Sequence, residues 1–135
     1  RRGNILKILV GYKDSKTAKD IMEMAYKHGS AFKADVYIVT SLEQSPTLKK
    51  EEIDKAESKL ENLKKPFTAN GIVCETHASV SYNSPGEDLV RFAEENDIDE
   101  IIIGIKKRSK VGKLVFGSTA QYVILKAPCP VLAVK

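Results

Sequence analysis

Two hydrophobic patterns alternate along the chain. Short apolar runs of strand length occupy residues 5–12, 36–39, 72–80, 101–104 and 131–134. Between them, apolar residues recur at spacings of three and four, which is typical of one face of a helix. The first such stripe contains Ala18, Ile21, Met22 and Ala25. The pattern therefore predicts strands that alternate with helices from one end of the chain to the other.

Glycine, serine and proline mark the expected ends of the first two helices. The first is predicted to begin at Ser15 and to end at Gly29, because glycine is common just after a helix. The second is predicted to begin at Ser45-Pro46. It should be interrupted at Pro66, because proline has no N–H to donate within a helix.

The starts of the third and fourth helices carry stronger signals. Residues 84–87, Ser-Pro-Gly-Glu, have the spacing of a capping box with proline at the first helical position. Gly117-Ser118 is predicted to open the fourth helix, which runs to about Lys126 with Ser118 as its cap.

The alternation predicts an α/β fold in a single domain that spans residues 1–135. We expect an open parallel five-strand sheet with helices on both faces, which makes three layers. The third strand is more polar than the others, so it is predicted to lie at an edge. Sheets of this kind bind ligands beyond the carboxyl ends of the strands, where the strand order reverses. The loops of interest are residues 11–15 and 104–118.

The positive charge is concentrated in one of these loops. The chain carries 22 basic and 18 acidic residues, a net charge of +4. Residues 106–113 hold five basic groups and no acid, which leaves 17 basic and 18 acidic groups elsewhere. A run of charge is often only a solvated surface. Here it lies within the predicted ligand loop.

Several other classes of protein find no support in the sequence. Cys74 and Cys129 lack the spacing of a disulfide framework or a metal clip, and His28 and His77 stand alone, so we expect reduced thiols and no metal. No apolar run is long enough to span a bilayer and no signal sequence is evident. We therefore expect a cytoplasmic location without membrane insertion.

The loop between the fourth strand and the fourth helix has the chemistry of an anion site. Free N–H groups at a helix start, with the positive end of its dipole, favour phosphate, and glycine lets backbone approach closely. The alternative is that Gly104 merely ends a strand and Gly117-Ser118 merely starts a helix.

Gly104, Gly117-Ser118 and the tail Ala127–Val134 resemble the signature of the universal stress protein family, whose loop reads G-x2-G-x9-G-[S/T]. The resemblance implies the strand order 3-2-1-4-5 of the adenine-nucleotide alpha-hydrolase-like fold. It also implies a regulatory role in stress response, with ATP at the point between strands one and four, accompanied by Mg²⁺ where the nucleotide carries it.

The same resemblance implies which residues surround the nucleotide, in two groups. The base side comprises Gly11, Tyr12, Lys13, Asp14 and Ser41. The ribose and phosphate side comprises Ile103, Gly104, Lys107, Gly117, Ser118 and Thr119.

The chain departs from the family pattern at two of these positions. Lys107 replaces the second glycine, and it either contacts phosphate as a point charge or fills the space that the nucleotide needs. We favour the contact, since five clustered cations repel one another unless an anion is near. Lys13 stands where the family has aspartate, and Asp14 follows one residue later, a shift that a loop can accommodate.

Three other functions compete with nucleotide binding. The main alternative is a dimeric interaction module without nucleotide, whose basic loop meets an acidic partner. Nucleic-acid binding is disfavoured, because the basic loop lacks aromatic residues for stacking. An enzyme is the least favoured class, at most one that hydrolyses ATP slowly, because no catalytic motif is present.

We also expect a homodimer through the last strand, Val131, Leu132, Ala133 and Val134, which is apolar and poorly protected as an edge.

Overall fold

The structure is a computed structural model, and it describes residues 4–105 and 116–135. The predicted alternation of strands and helices is confirmed in these ranges. The elements are β1 (Lys7–Gly11), α1 (Ala18–Phe32), β2 (Asp35–Glu43), α2 (Lys50–Ala69), β3 (Cys74–Ser81), α3 (Pro85–Glu95), β4 (Glu100–Gly104), α4 (Ser118–Lys126) and β5 (Val131–Val134).

All strand pairs are parallel, and the sheet has the order β3-β2-β1-β4-β5. This confirms the predicted fold class and strand order. The polar third strand lies at one edge, as predicted, and β5 lies at the other. The order reverses between β1 and β4, which are neighbours, so the loops after these two strands start side by side at the carboxyl edge.

The sheet separates two hydrophobic cores, which confirms the three-layer arrangement. Alternate residues of β1 point to opposite faces: Ile8 and Val10 pack with α1 and α2, whereas Leu9 packs with α3 and α4. The central strands are apolar on both faces because helices cover both. This explains why β1 and β4 appear in the sequence as continuous apolar runs rather than as alternating patterns.

The predicted bounds of α1 were wrong at both ends. The helix begins at Ala18 rather than Ser15 and ends at Phe32 rather than Gly29. Gly29 lies inside the helix, where a Cβ atom would come 3.0 Å from Cγ2 of Val36, so glycine allows α1 to approach the sheet. Lys33 ends the helix instead, in the left-handed conformation with φ of 52°.

The prediction for α2 was also wrong at both ends. The helix begins at Lys50, after Ser45 has formed a turn in which its carbonyl accepts from the N–H of Leu48. Pro66 lies within the helix, which continues to Ala69. Pro66 removes a single hydrogen bond close to the helix end, and burial of Phe67 in the core holds the last turn in place.

Two further sequence expectations concern the cysteines and the membrane. Cys74 and Cys129 are free thiols, and they belong to β3 and to the segment before β5, at opposite edges of the sheet. Burial raises the pKa of Cys74 to about 11 and also raises that of Cys129, which disfavours the reactive thiolate. Within residues 4–105 and 116–135, no helix has the length and apolar character needed to cross a membrane.

Candidate functional site

The predicted site lies where β1 and β4 end, and two glycines there have packing roles. A Cβ atom on Gly11 would come 2.8 Å from Leu89 of α3 and 3.2 Å from Ile103 of β4. A Cβ atom on Gly104 would come 2.6 Å from Oγ1 of Thr17. Gly11 thus faces the α3 side of the sheet, and Gly104 faces the start of α1. The close approach of Thr17 gives a packing reason for glycine at the end of β4. This reason holds whether or not Gly104 also contacts a ligand.

The loop after β1 is fixed to the neighbouring strand. The N–H of Tyr12 donates to the carbonyl of Val39 at 2.9 Å, and the Thr40 hydroxyl donates to the carbonyl of Tyr12 at 3.0 Å. Tyr12 is buried, whereas Lys13 and Asp14 are exposed. These contacts fix the backbone from which both charged side chains project. Thr40 was not among the predicted site residues, although a hydroxyl residue near the end of a strand could have indicated it.

Tyr12 and Asp14 line a common cavity of about 710 Å³, which extends between α1 and α2. Lys13 does not line it. Asp14, rather than Lys13, therefore shares this cavity with Tyr12. Ser41 lies in β2, paired in register with Ser79 of β3, outside this cavity.

The start of α4 differs from the prediction in one detail. Gly117, not Ser118, occupies the N-cap position, with extended backbone at φ −69° and ψ 164°. No side chain caps the helix, and its first turn contains no acidic residue. Ser118 is exposed and Thr119 is half-buried.

The first amides of this helix lack partners in the part of the chain that the structure describes. Among the described residues, the N–H groups of Ser118, Thr119 and Ala120 have no hydrogen-bond acceptor. The first N–H with a partner is that of Gln121, which donates to the carbonyl of Gly117 at 3.0 Å. Three donors and two hydroxyl side chains are thus available to a ligand. Lys107, the remaining predicted residue on this side, lies outside the described residues.

Neither histidine is hydrogen-bonded to a serine or cysteine in the described part of the chain. His28 Nδ1 lies 2.8 Å from a carboxylate oxygen of Glu100. Glu100 is the first residue of β4, so this contact lies at the amino ends of the strands. His77 lies beside Phe92, with ring centroids 5.2 Å apart, and 3.6 Å from a carboxylate oxygen of Glu75. His28 therefore lies at the opposite end of the strands from the loops that follow β1 and β4, whereas His77 lies level with Gly11, two strands away across β2.

Comparison with known proteins assigns this arrangement to a family. Residues 4–135 match the family model described as the universal stress protein family. The chain belongs to this family. Its sheet and helices are those of the adenine nucleotide alpha-hydrolase-like fold, which confirms the fold predicted from the sequence.

Three universal stress proteins illustrate the similarity. A 49-residue segment is 47% identical to a relative from Mycolicibacterium smegmatis, and the match covers 36% of this chain and 38% of that protein. A structure from Archaeoglobus fulgidus has 36% identity and a TM-score of 0.83, and covers 97% of this chain and 98% of its own. A second structure from Archaeoglobus fulgidus is a complex with dAMP. It has 31% identity, a TM-score of 0.78 and the same two coverages.

Proposed function

We propose that this universal stress protein binds an adenine nucleotide between the loops that follow β1 and β4, in a cytoplasmic regulatory role in stress response. The observation that carries the proposal is the open start of α4, where three N–H groups have no acceptor among the described residues. Such a helix start favours an anion because its N–H groups and its dipole point toward the ligand. The dAMP complex of the similar archaeal protein supports an adenine nucleotide as that anion.

The two sides of the site have different tasks. The amides of Ser118 and Thr119, with their hydroxyls, would donate to phosphate oxygens. The carboxylate of Asp14 would accept from the base or from a ribose hydroxyl. ATP is the nucleotide that the family resemblance implies, and its longer phosphate chain would also meet Lys107. Asp14 is the only carboxylate in the predicted set, so Mg²⁺ would be held mainly through the phosphates.

Calorimetry with ATP, ADP and AMP, with and without Mg²⁺, tests this proposal. We expect saturable binding of at least one nucleotide below millimolar concentration. If none binds, the interaction module becomes the better account. Mass spectrometry of small molecules released from the denatured protein provides an independent check on which nucleotide is retained.

A homodimer through β5 is a second proposal, which a different observation supports. The carbonyl of Pro130 accepts from the N–H of Ile101 in β4 at 3.0 Å, and that of Val134 accepts from the N–H of Ile105, just after β4, at 2.9 Å. Since the peptide groups of successive residues in a strand point to alternate sides, those of Val131 and Ala133 point outward. No described strand pairs with that outer side. Exposed Leu125 of α4 adds apolar surface to the molecule.

Two copies related by a twofold axis could pair these edges in an antiparallel manner. Ala133→Pro removes an outward N–H without removing a donor to β4, so it should shift sedimentation at micromolar concentration from dimer to monomer. Ala133→Val keeps the N–H and serves as the control. A wild-type chain that sediments as a monomer contradicts the dimer but leaves the nucleotide proposal intact.

A further inference from the structure

A groove of about 710 Å³ separates α1 from α2 on one face of the sheet. Its volume lies within the range of about 300–1,000 Å³ that is usual for small-molecule sites. One end is formed by Tyr12, Asp14 and Ser15, in the loop after β1. The rest is formed by the facing sides of the two helices, so most of the groove lies away from Gly117 at the start of α4.

The groove results from the way the two helices cover the sheet. α1 packs on β1 and β4, whereas α2 packs on β2 and β3, so the helices are held apart by the strands beneath them. The two helices touch through aromatic side chains: Tyr26 of α1 and Phe67 of α2 pack edge to face, with ring centroids 5.7 Å apart. Farther along the groove, the lining residues include the small side chains of Ala18 and Asn62, which do not fill the space.

The floor of the groove is apolar. Met22 and Tyr26 of α1 and Leu63 and Phe67 of α2 all line it, and all belong to or pack against one hydrophobic core. A ligand body placed here would cover apolar surface that the helices leave accessible. Such burial contributes roughly 25 cal/mol for each Å² removed from water.

The rim of the groove is basic. Lys19 and Lys27 of α1 and Lys59 of α2 line it, and all three are exposed. Asp14 and Glu23 are the carboxylates that line it, so ammonium groups outnumber carboxylates by three to two. None of the three lysines forms an ion pair within the described residues, not even with Glu23 one helical turn away.

We propose that this groove binds a small amphipathic anion. The apolar or aromatic body of the ligand would lie on the floor, and its carboxylate or sulfonate would be held by the lysines of the rim. The inference goes beyond the proposed nucleotide site, because Gly104, Gly117 and Ser118 do not line the groove. The two sites share Tyr12 and Asp14 at one end only.

Fluorescence titration with 8-anilinonaphthalene-1-sulfonate tests the proposal, because this probe combines an aromatic body with one anionic group. We expect saturable binding of one probe per chain, and displacement by dodecanoate, whose carboxylate and apolar chain satisfy the same description. Asn62→Trp should fill the groove from the exposed side of α2 and abolish the saturable signal, while circular dichroism stays unchanged.

Charge reversal on the rim provides the matched comparison. Lys19→Glu and Lys59→Glu should each weaken binding about five- to tenfold, because each replaces an attraction with a repulsion at a partly solvated site. The controls are Lys50→Glu and Lys65→Glu, exposed lysines of α2 that project from other sides of the helix and do not line the groove. They should change the affinity less than about twofold, since exposed charges at a distance are screened by salt.

Several results would overturn the proposal. Equal losses in the rim and control variants would show a general charge effect. Loss of the signal in Leu125→Ser would show that the probe reports exposed apolar surface on α4 instead. Loss of ATP binding in Asn62→Trp, together with stoichiometric displacement of the probe by ATP, would mean that the groove is part of the nucleotide site. If the protein binds no nucleotide, the results expected with 8-anilinonaphthalene-1-sulfonate stay the same, so the two proposals can fail separately.

Discussion

Two helices, α3 and α4, begin at the carboxyl edge of the same sheet and on the same face, yet their first turns have opposite chemistry. They are packed together, and a Cβ atom on Gly86 of α3 would come 3.0 Å from Tyr122 of α4. At the start of α3, the hydroxyl of Ser84 accepts from the N–H of Glu87 at 3.3 Å. The Glu87 carboxylate in turn accepts from the N–H of Ser84 at 3.0 Å. The start of α4 has neither contact.

The difference shows why one helix start is a candidate ligand site and the other is not. α3 already holds its own anions, Glu87 and the buried Asp88, which accepts from the hydroxyl of Ser81 at 2.9 Å. Hydrogen bonds from Ser84 lower the pKa of Glu87, which shows that its negative charge is favoured there. In α4, glycine and hydroxyl residues replace these acids, so the same backbone donors remain available to a negative charge from outside.

The largest expected effect on nucleotide affinity comes from placing an acidic residue in the first turn of α4. Ser118→Glu should weaken nucleotide binding about a hundredfold, because the new carboxylate competes for the helix start and repels phosphate. Ser118→Gln has the same size without the charge and should change affinity less than about threefold. Calorimetry of both variants measures the difference. Equal losses would mean that bulk, and not charge, explains the effect.

Lys107 should add a full charge on the α4 side. By the spacing of the sequence motif, Lys107→Gly should weaken ATP binding about tenfold, which is the loss of one charge-assisted contact. Arg108→Gly removes a neighbouring cation outside the motif position and should have the smaller effect. Tighter binding in Lys107→Gly would show that the lysine obstructs the site.

The matching change in α3 should affect stability without affecting binding. Ser84→Ala removes the hydroxyl of the capping box and should lower the free energy of unfolding by about 1 kcal/mol, as measured by urea denaturation. Ser84→Thr keeps a hydroxyl and should recover most of that loss. Nucleotide affinity should be the same in all three proteins. A large drop in affinity with Ser84→Ala would contradict the division of roles between the two helices.

A smaller effect concerns pH. The pKa of Glu87 in the folded protein lies below its ordinary value of 4.5, mainly because the backbone of Ser84 donates to the carboxylate. Its stabilising contribution is therefore present above pH 4.5 and is lost as the pH falls through the lower folded-state value. Glu87→Gln keeps the acceptor but cannot ionise. Its stability should depend less steeply on pH in this acidic range, as followed by thermal denaturation.

Local patterns were sufficient to predict the alternating strands and helices and the parallel sheet, whereas the strand order came from the family resemblance. Tertiary contacts explain the errors. The apolar runs and the capping box at Ser84 depend on neighbours in sequence, so they could be recognised directly. The sequence predicts a helix end at Gly29, because nothing local indicates that this glycine packs against Val36. The sequence predicts an interruption at Pro66, because the burial of Phe67, which follows it, cannot be recognised from the sequence.

The candidate site was predicted less completely than the fold. The motif led to Gly117 and Ser118, but not to which of them occupies the cap position. Thr40, which holds the loop after β1, was missed because its hydrogen bond joins β2 to a loop that is distant in sequence. The groove between α1 and α2 depends on how far apart the helices lie on the sheet, a distance that no periodicity encodes.

Amide chemical shifts compare the two helix starts most directly. In a titration of ¹⁵N-labelled protein with ATP, the amide signals of Ser118, Thr119 and Ala120 should shift downfield and saturate together, as each N–H gains a phosphate acceptor. The signals of Glu87 and Asp88 should stay in place, because their helix start is already occupied. Saturable shifts at α3 without shifts at α4, or no saturable shift at either, would contradict the account.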